Sequence, residues 1–205
     1  MLPIATDAGE ARVELDRVAG APALLVLGHG AGGSIDAPDL LSVRSACLAA
    51  GISVARVTQP YRVAGRKAPP TAAVLDQAWQ AVIRALGRRR GLAGQPFVYA
   101  GRSSGARVAC RTAADPLSKP PAAAVLALAF PLHPPGKPDR SRLSELAAVP
   151  VPVLVVQGAS DPFGMPPPEG NRQVVQLPGD HSLKRCAAEL GAVAAGWILD
   201  TVRAG

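Results

Sequence analysis

Apolar residues in this chain fall into short unbroken runs, and the stretches between them carry helical spacing. "ALLVLG" at 23–28, "SVARVTQP" from Ser53, "PFVYAG" from Pro96, Ala123 to Phe130, Val151 to Gln157 and "RQVVQLP" at 172–178 have the length of buried strands. The segments between them predict helices. One runs from about Asp39 to Ala50 and stops at Gly51. In the next, Val74, Leu75, Ala78, Trp79, Val82, Ile83 and Leu86 line one face and Gly87 closes the element. A third spans Ala106 to Ala114, and a last one from Ser182 to Val202 puts Leu183, Cys186, Leu190, Val193, Trp197 and Ile198 on one stripe. "EARVELDRV" at 10–18 alternates apolar and polar and predicts a further edge strand.

Strands that are apolar on both faces and regularly separated by helices require cover on both sides. The prediction is therefore an α/β fold, with a mainly parallel sheet of about six strands and helices on both faces. No internal repeat is visible, and the proline-rich stretches at 131–138 and 162–168 are too short for domain linkers, so residues 1–205 read as a single domain. Between Phe130 and Val151 lie 20 residues, room for one short helix but no lid.

Composition narrows the function classes. A chain of 205 residues buries roughly 70% of its unfolded surface without metals or disulfides. Cys47, Cys110 and Cys186 are odd in number, lie far apart and form no C-x-x-C pair, which argues against a disulfide framework and against zinc. No metal or cofactor is expected. The opening "MLPIATDAGE" has no basic region followed by an apolar stretch of leader length, and the longest uncharged apolar run, "AAAVLALAF", is about half a membrane span. The expectation is a soluble cytoplasmic protein. Net charge is +7, which favours acidic partners or substrates. Its main cluster, Arg88 to Arg90, follows a predicted helix and reads as cations at a helix C-terminus. With 3% aromatics and no basic stripe or recognition motif, nucleic acid is not the expected partner.

In a parallel α/β sheet, ligands bind where loops leave the carboxyl ends of the strands. "YAGRSSGAR" at 99–107 stands at such a place, and Gly101-Arg102-Ser103-Ser104-Gly105 matches G-x-S-x-G. The glycines of that pattern allow a sharp strand-to-helix turn that exposes the serine hydroxyl. With 21 glycines and 11 serines in 205 residues, chance alone gives the pattern about 0.1 times, so context has to decide. A serine hydroxyl needs a base to take its proton, and three histidines are available, His29, His133 and His181. Only His181 stands beyond a strand-end acid and at the start of the final helix. Asp161, leaving the fifth predicted strand, is the acid that would orient it, with Asp180 and Asp139 as rivals.

Acyl transfer also needs donors for a developing oxyanion. The backbone N–H of Ser104 is one, and the glycine-rich "HGAGG", His29 to Gly33, offers that of Ala31. The same loop lacks the G-x-G-x-x-G or lysine pattern of a phosphate cradle. Arg102 is expected to contact substrate at the mouth, while His133 has two equal readings, a substrate contact shaping the pocket rim or part of a rigid structural loop. His29 is a further candidate contact, although bracing its loop is the plainer role.

The blocks "LVLGHGAGG", "GRSSGAR", "FPLHPPGKP", "VQGASDPFG" and "GDHSLK", spread over residues 23 to 185, resemble the small, cap-less α/β-hydrolases of the dienelactone-hydrolase-like group. Larger eukaryotic relatives of that group include a scaffold subunit of a histone acetyltransferase complex. The resemblance implies an α/β-hydrolase sheet and a Ser103, Asp161, His181 triad, and says little about substrate. A serine departs from the cysteine that resemblance to true dienelactone hydrolases implies, which argues against dienelactone. Two classes of function follow. One is a serine hydrolase acting on short acyl esters or thioesters, with Arg102, Lys137 and Lys184 favouring acidic groups. The other is an idle hydrolase fold that binds protein or nucleic acid.

Overall fold

The computed structural model describes residues 1–204. Its elements run β1 (Leu2–Thr6), β2 (Gly9–Asp16), β3 (Leu24–Gly28), α1 (Pro38–Ala49), β4 (Ser53–Thr58), α2 (Pro60–Val63), α3 (Ala72–Gly87), β5 (Phe97–Arg102), α4 (Ser104–Ala114), β6 (Ala122–Leu128), α5 (Leu143–Ala147), β7 (Val153–Gly158), β8 (Arg172–Leu177), a 3-10 turn (Lys184–Cys186) and α6 (Ala187–Ala204). The strands form one eight-stranded sheet in the order β1-β2-β4-β3-β5-β6-β7-β8. All neighbours from β4 to β8 are parallel, while β1 and β2 add an antiparallel margin.

Two strands beyond the expected six are found. β2 is the alternating segment read from the sequence as an edge strand, and β1 lies outside it. Pro3 lowers the strand signal of β1, but a proline is tolerated on an outermost strand because its missing N–H leaves no ladder bond unmade. The turn between them is closed by Thr6, whose hydroxyl donates to Gly9 O at 2.7 Å.

Period two along the central strands feeds two cores. Leu24 and Val26 of β3 and Phe97 and Tyr99 of β5 face α3 and α4, packing with Leu75, Trp79, Val82 and Ile83. Leu25 and Leu27, with Val98 and Ala100, face α1 and α6, packing with Leu40, Val43, Leu190 and Ile198. Burial of each leucine, valine, isoleucine or phenylalanine among them stabilises the fold by about 1.5–3 kcal/mol. Arg88 to Arg90 are exposed beyond the end of α3. All three cysteines are free and buried.

The last predicted helix starts later than its pattern indicates. Residues 182–186 form a turn and then a 3-10 segment, with Leu183 in the left-handed region at φ 52°. Leu183 and Cys186 are nevertheless buried, because a 3-10 segment also stacks residues three apart. His181 therefore sits in a loop, six residues ahead of α6.

Strand order reverses at β3, whose two neighbours are β4 and β5. The chain leaves β3 toward one side and β5 toward the other. That opens a crevice at the carboxyl ends of these two strands, where Gly28 pairs with Gly101.

Candidate functional site

Only Ser103 separates the end of β5 from the start of α4. Reversing from strand to helix in one residue forces it to φ 52°, ψ −110°, a conformation costing a non-glycine residue about 1–3 kcal/mol. Two glycines make the turn possible. A Cβ on Gly101 would lie 2.6 Å from Gly105 O and 2.9 Å from Ala106 N, and one on Gly105 would lie 2.7 Å from His29 O. The Ser103 N–H donates to Leu128 O at 2.9 Å, tying the turn to β6.

His181 reaches this serine from the loop after β8. Its Nε2 lies 2.9 Å from Ser103 Oγ, and its Nδ1 lies 2.8 Å from Asp161 Oδ2. A carboxylate accepts, so Nδ1 carries the proton and Nε2 is left as the acceptor for the serine hydroxyl. The Asp161 side chain is 1% exposed and that of His181 is 19% exposed, so the acid is sheltered while the imidazole keeps one accessible edge. Phe163 lies against that ring, with centroids 4.2 Å apart. Of the three candidate acids, the fold brings Asp161 to His181. Asp180 instead accepts the N–H and O–H of Ser182, which lowers its pKa, and Asp139 is exposed.

The loops carrying Asp161 and His181 are joined. Ser160 donates its N–H and its hydroxyl to Gly179 O, each at 2.9 Å. Gly158 ends β7 so close to the second loop that a Cβ would lie 2.7 Å from Gly179 O. Asp161 Oδ1 accepts the Phe163 N–H at 2.9 Å, and Oδ2 accepts from Gln157 Nε2 at 2.8 Å. Gln157 is wholly buried, and its amide also lies within reach of Phe130 O and Gly164 O. Sequence reasoning missed it, although a glutamine inside the apolar run "VLVVQ" was a readable signal, because a buried amide needs partners.

The glycine-rich loop after β3 lies on the other side of Ser103. A Cβ on Gly30 would lie 3.5 Å from Ser103 Cβ, and Gly33 N donates to Gly30 O at 3.1 Å to close a turn with Ala31 at its exposed tip. Ser104 opens α4, so its N–H is among the helix donors that have no acceptor within the helix.

His29 takes the plainer of its two roles, and the expectation for Arg102 is corrected. His29 is 3% exposed, with Nδ1 donating to Gly30 O at 2.8 Å and Nε2 accepting the Gln59 N–H at 3.2 Å, so neither ring nitrogen is left for a substrate. It braces the loop. Burial pushes its pKa down, against the raising effect of the Gly30 bond. A base harder to protonate folded than unfolded contributes stability that is present above the unfolded value of 6.5 and lost as pH falls below it. The wild type is therefore expected to lose up to about 1.4 kcal/mol per pH unit through this residue, and a His29→Gln variant to lack that component in urea titrations from pH 7 to pH 5.

Arg102, expected at the mouth, is engaged within the protein instead. Alternation along β5 directs it to the same face as Val98 and Ala100, toward α1 rather than outward. There Nε lies 2.8 Å from Asp39 Oδ2, and Nη2 donates to His181 O at 3.1 Å. The Nε and Oδ2 atoms are at ion-pair distance without an aligned hydrogen bond. Asp39 is 1% exposed, and its burial raises its pKa while Arg102 pulls it back. Sequence gave little sign of Asp39, since an acid in the first turn of a helix already has a reason to be there.

His133 packs on Gly164, donates through Nδ1 to Pro134 O at 2.9 Å and donates its backbone N–H to Phe163 O at 3.0 Å, so it braces the Asp161 loop. Lys137 and Lys184 are exposed. Among the described residues, no group of three or more His, Cys, Asp or Glu is placed to hold a metal ion.

Residues 21–189 match the family described as alpha/beta hydrolase domain. The chain belongs to the alpha/beta hydrolase family. Solved structures share this hydrolase fold from end to end. Est1E from Butyrivibrio proteoclasticus superposes with a TM-score of 0.78 at 16% identity, covering 98% of both chains. An α/β serine hydrolase without a lid from Xanthomonas campestris gives 0.73 at 24% identity, covering 98% of this chain and 92% of that one. A dienelactone hydrolase from Anabaena variabilis gives 0.74 at 20% identity, with 97% and 95% covered. At these identities the likeness concerns the fold. No curated protein matches the hydrolase sequence. Among its described residues, no helix is long and apolar enough to cross a membrane.

Proposed function

We propose that this alpha/beta hydrolase is a serine hydrolase that cleaves small carboxylic esters or thioesters through an acyl-enzyme intermediate. The observation that carries the reading is the continuous path Ser103 Oγ, His181 Nε2, His181 Nδ1, Asp161 Oδ2, with steps of 2.9 and 2.8 Å across the ring. His181 takes the hydroxyl proton as Ser103 Oγ attacks the substrate carbonyl carbon. The N–H groups of Ser104 and Ala31 receive the oxyanion, and Asp161 stabilises the imidazolium. Collapse expels the alcohol or thiol, which takes its proton from His181. Water, deprotonated by the same imidazole, then attacks the acyl carbon, releasing the acid and restoring Ser103.

Small substrates fit an uncapped site, since the connection from β6 to β7 contains only the five-residue α5. With Arg102 engaged by Asp39, the preference for acidic substrates rests on Lys137 and Lys184. Gln157→Leu removes a donor from Asp161 and is expected to lower kcat about 10-fold with KM little changed, read from steady-state hydrolysis of p-nitrophenyl acetate.

A fluorophosphonate probe tests the reading. It should form a covalent adduct that mass spectrometry locates on the peptide containing Ser103. A folded wild type that gives no adduct and hydrolyses no short ester or thioester would overturn the proposal. The domain would then be a binding module of the kind implied by the resemblance to the histone acetyltransferase scaffold subunit.

A further inference from the structure

We infer that Arg102 and Asp39 form a positioning pair that sets the His181 loop over Ser103, an inference that rests on the hydrolase reading above. Arg102 directly precedes the turn residue, and its guanidinium meets three separate segments. Nε lies 2.8 Å from Asp39 in the first turn of α1, and Nη2 donates to the His181 carbonyl at 3.1 Å. Nη1 lies 3.1 Å from where a Gly30 side chain would begin. One planar fork thus touches the loop that bears the imidazole, the loop that offers an oxyanion donor and the helix between them.

The bond to His181 is made to the backbone. It therefore restrains where the loop runs, and the imidazole follows. Leu183, two residues further on, is buried in the left-handed region, so the loop is held at a second point beyond the imidazole. Arg102 has its own anchor in Asp39, which is nearly inaccessible to water. A lysine at position 102 keeps the charge but cannot reach Asp39 and the carbonyl through one rigid plane. Two of its three nitrogens, Nε and Nη2, face partners within the protein.

The test uses the full chain with Arg102→Gln, Arg102→Lys and Asp39→Asn, assayed on a neutral and an anionic p-nitrophenyl ester of similar acyl length. Arg102→Gln is expected to lower kcat about 10- to 100-fold on both esters, with KM within about twofold, because a displaced imidazole fails at the chemical step. Arg102→Lys should recover part of that loss, and Asp39→Asn should lower kcat in the same sense. A rise in KM confined to the anionic ester would overturn the inference in favour of a substrate contact, and an unchanged kcat in both Arg102→Gln and Asp39→Asn would overturn it outright.

A second readout needs no turnover. The His181 Nδ1 proton bonded to Asp161 is expected as a low-field proton NMR resonance, absent in His181→Gln. In Arg102→Gln and Asp39→Asn it should broaden or move upfield while the rest of the spectrum stays dispersed. An unaltered resonance in both variants would overturn the pair's role, and this decides the inference even if the wild type proves inactive toward esters.

Discussion

Ser103→Ala is expected to abolish fluorophosphonate labelling and to lower ester turnover by about 10⁴- to 10⁶-fold, because among the described residues no other hydroxyl meets His181 Nε2. Residual activity should come only from the oxyanion donors and from binding. Ser104, the neighbour in sequence, is no substitute, since it is the first residue of α4 and its backbone has already turned into the helix. A companion variant separates chemistry from strain. Ser103→Gly is expected to be equally inactive but about 1 kcal/mol more stable than Ser103→Ala in urea unfolding, because glycine adopts the φ 52° conformation without a side-chain clash. Equal stability of the two variants would mean that the turn stores no strain. Turnover within about 10-fold of wild type in either would remove Ser103 from the reaction altogether.

Gly105→Ala should have the largest effect on stability. The added methyl group would meet His29 O at 2.7 Å and Gly28 O at 2.8 Å, and both are backbone atoms of the central strand and its loop. Neither can retreat without shifting β3 or α4, so the expected cost is about 3 kcal/mol or more, at the upper end for overpacking. Unfolding midpoints in urea measure it. Gly101→Ala meets the same obstacle from the strand side, at Gly105 O. Gly196 is the control: a Cβ there meets nothing within 4 Å, so Gly196→Ala in α6 should leave stability unchanged or raise it by about 0.5–1 kcal/mol. Similar losses at positions 105 and 196 would show that the close approach of β3, β5 and α4 is not what requires glycine.

The alternation of short apolar runs with helical stripes determined the α/β class, because strands covered on both faces need helices between them. Two of its departures from the structure have clear physical causes. β1 is a marginal strand that gains its place by pairing with β2, and Pro3 hides it from a pattern search. The start of the last helix was misplaced because a 3-10 segment and an α-helix bury residues at nearly the same spacing.

At the site, G-x-S-x-G was legible because its glycines answer a local backbone need. Strand-end placement and chain order favoured Asp161 over Asp180 and Asp139, and its contact with His181 Nδ1 at 2.8 Å agrees with that choice. Order along the chain says which residues leave strand ends; it does not say which side chains meet. Arg102 shows the difference most clearly. Its place in the motif suggested an outward-facing cation, and period two along β5 turned it inward to a buried carboxylate 63 positions earlier in the chain. Most elements, the α/β class and the serine turn could thus be read from local pattern, since interactions between near neighbours set them. Only the packed fold shows that Gln157 and Asp39 belong to the surroundings of the site and that Arg102 turns toward a buried carboxylate. Those outcomes depend on distances between loops far apart in the chain, which sheet order and packing set and local pattern cannot encode.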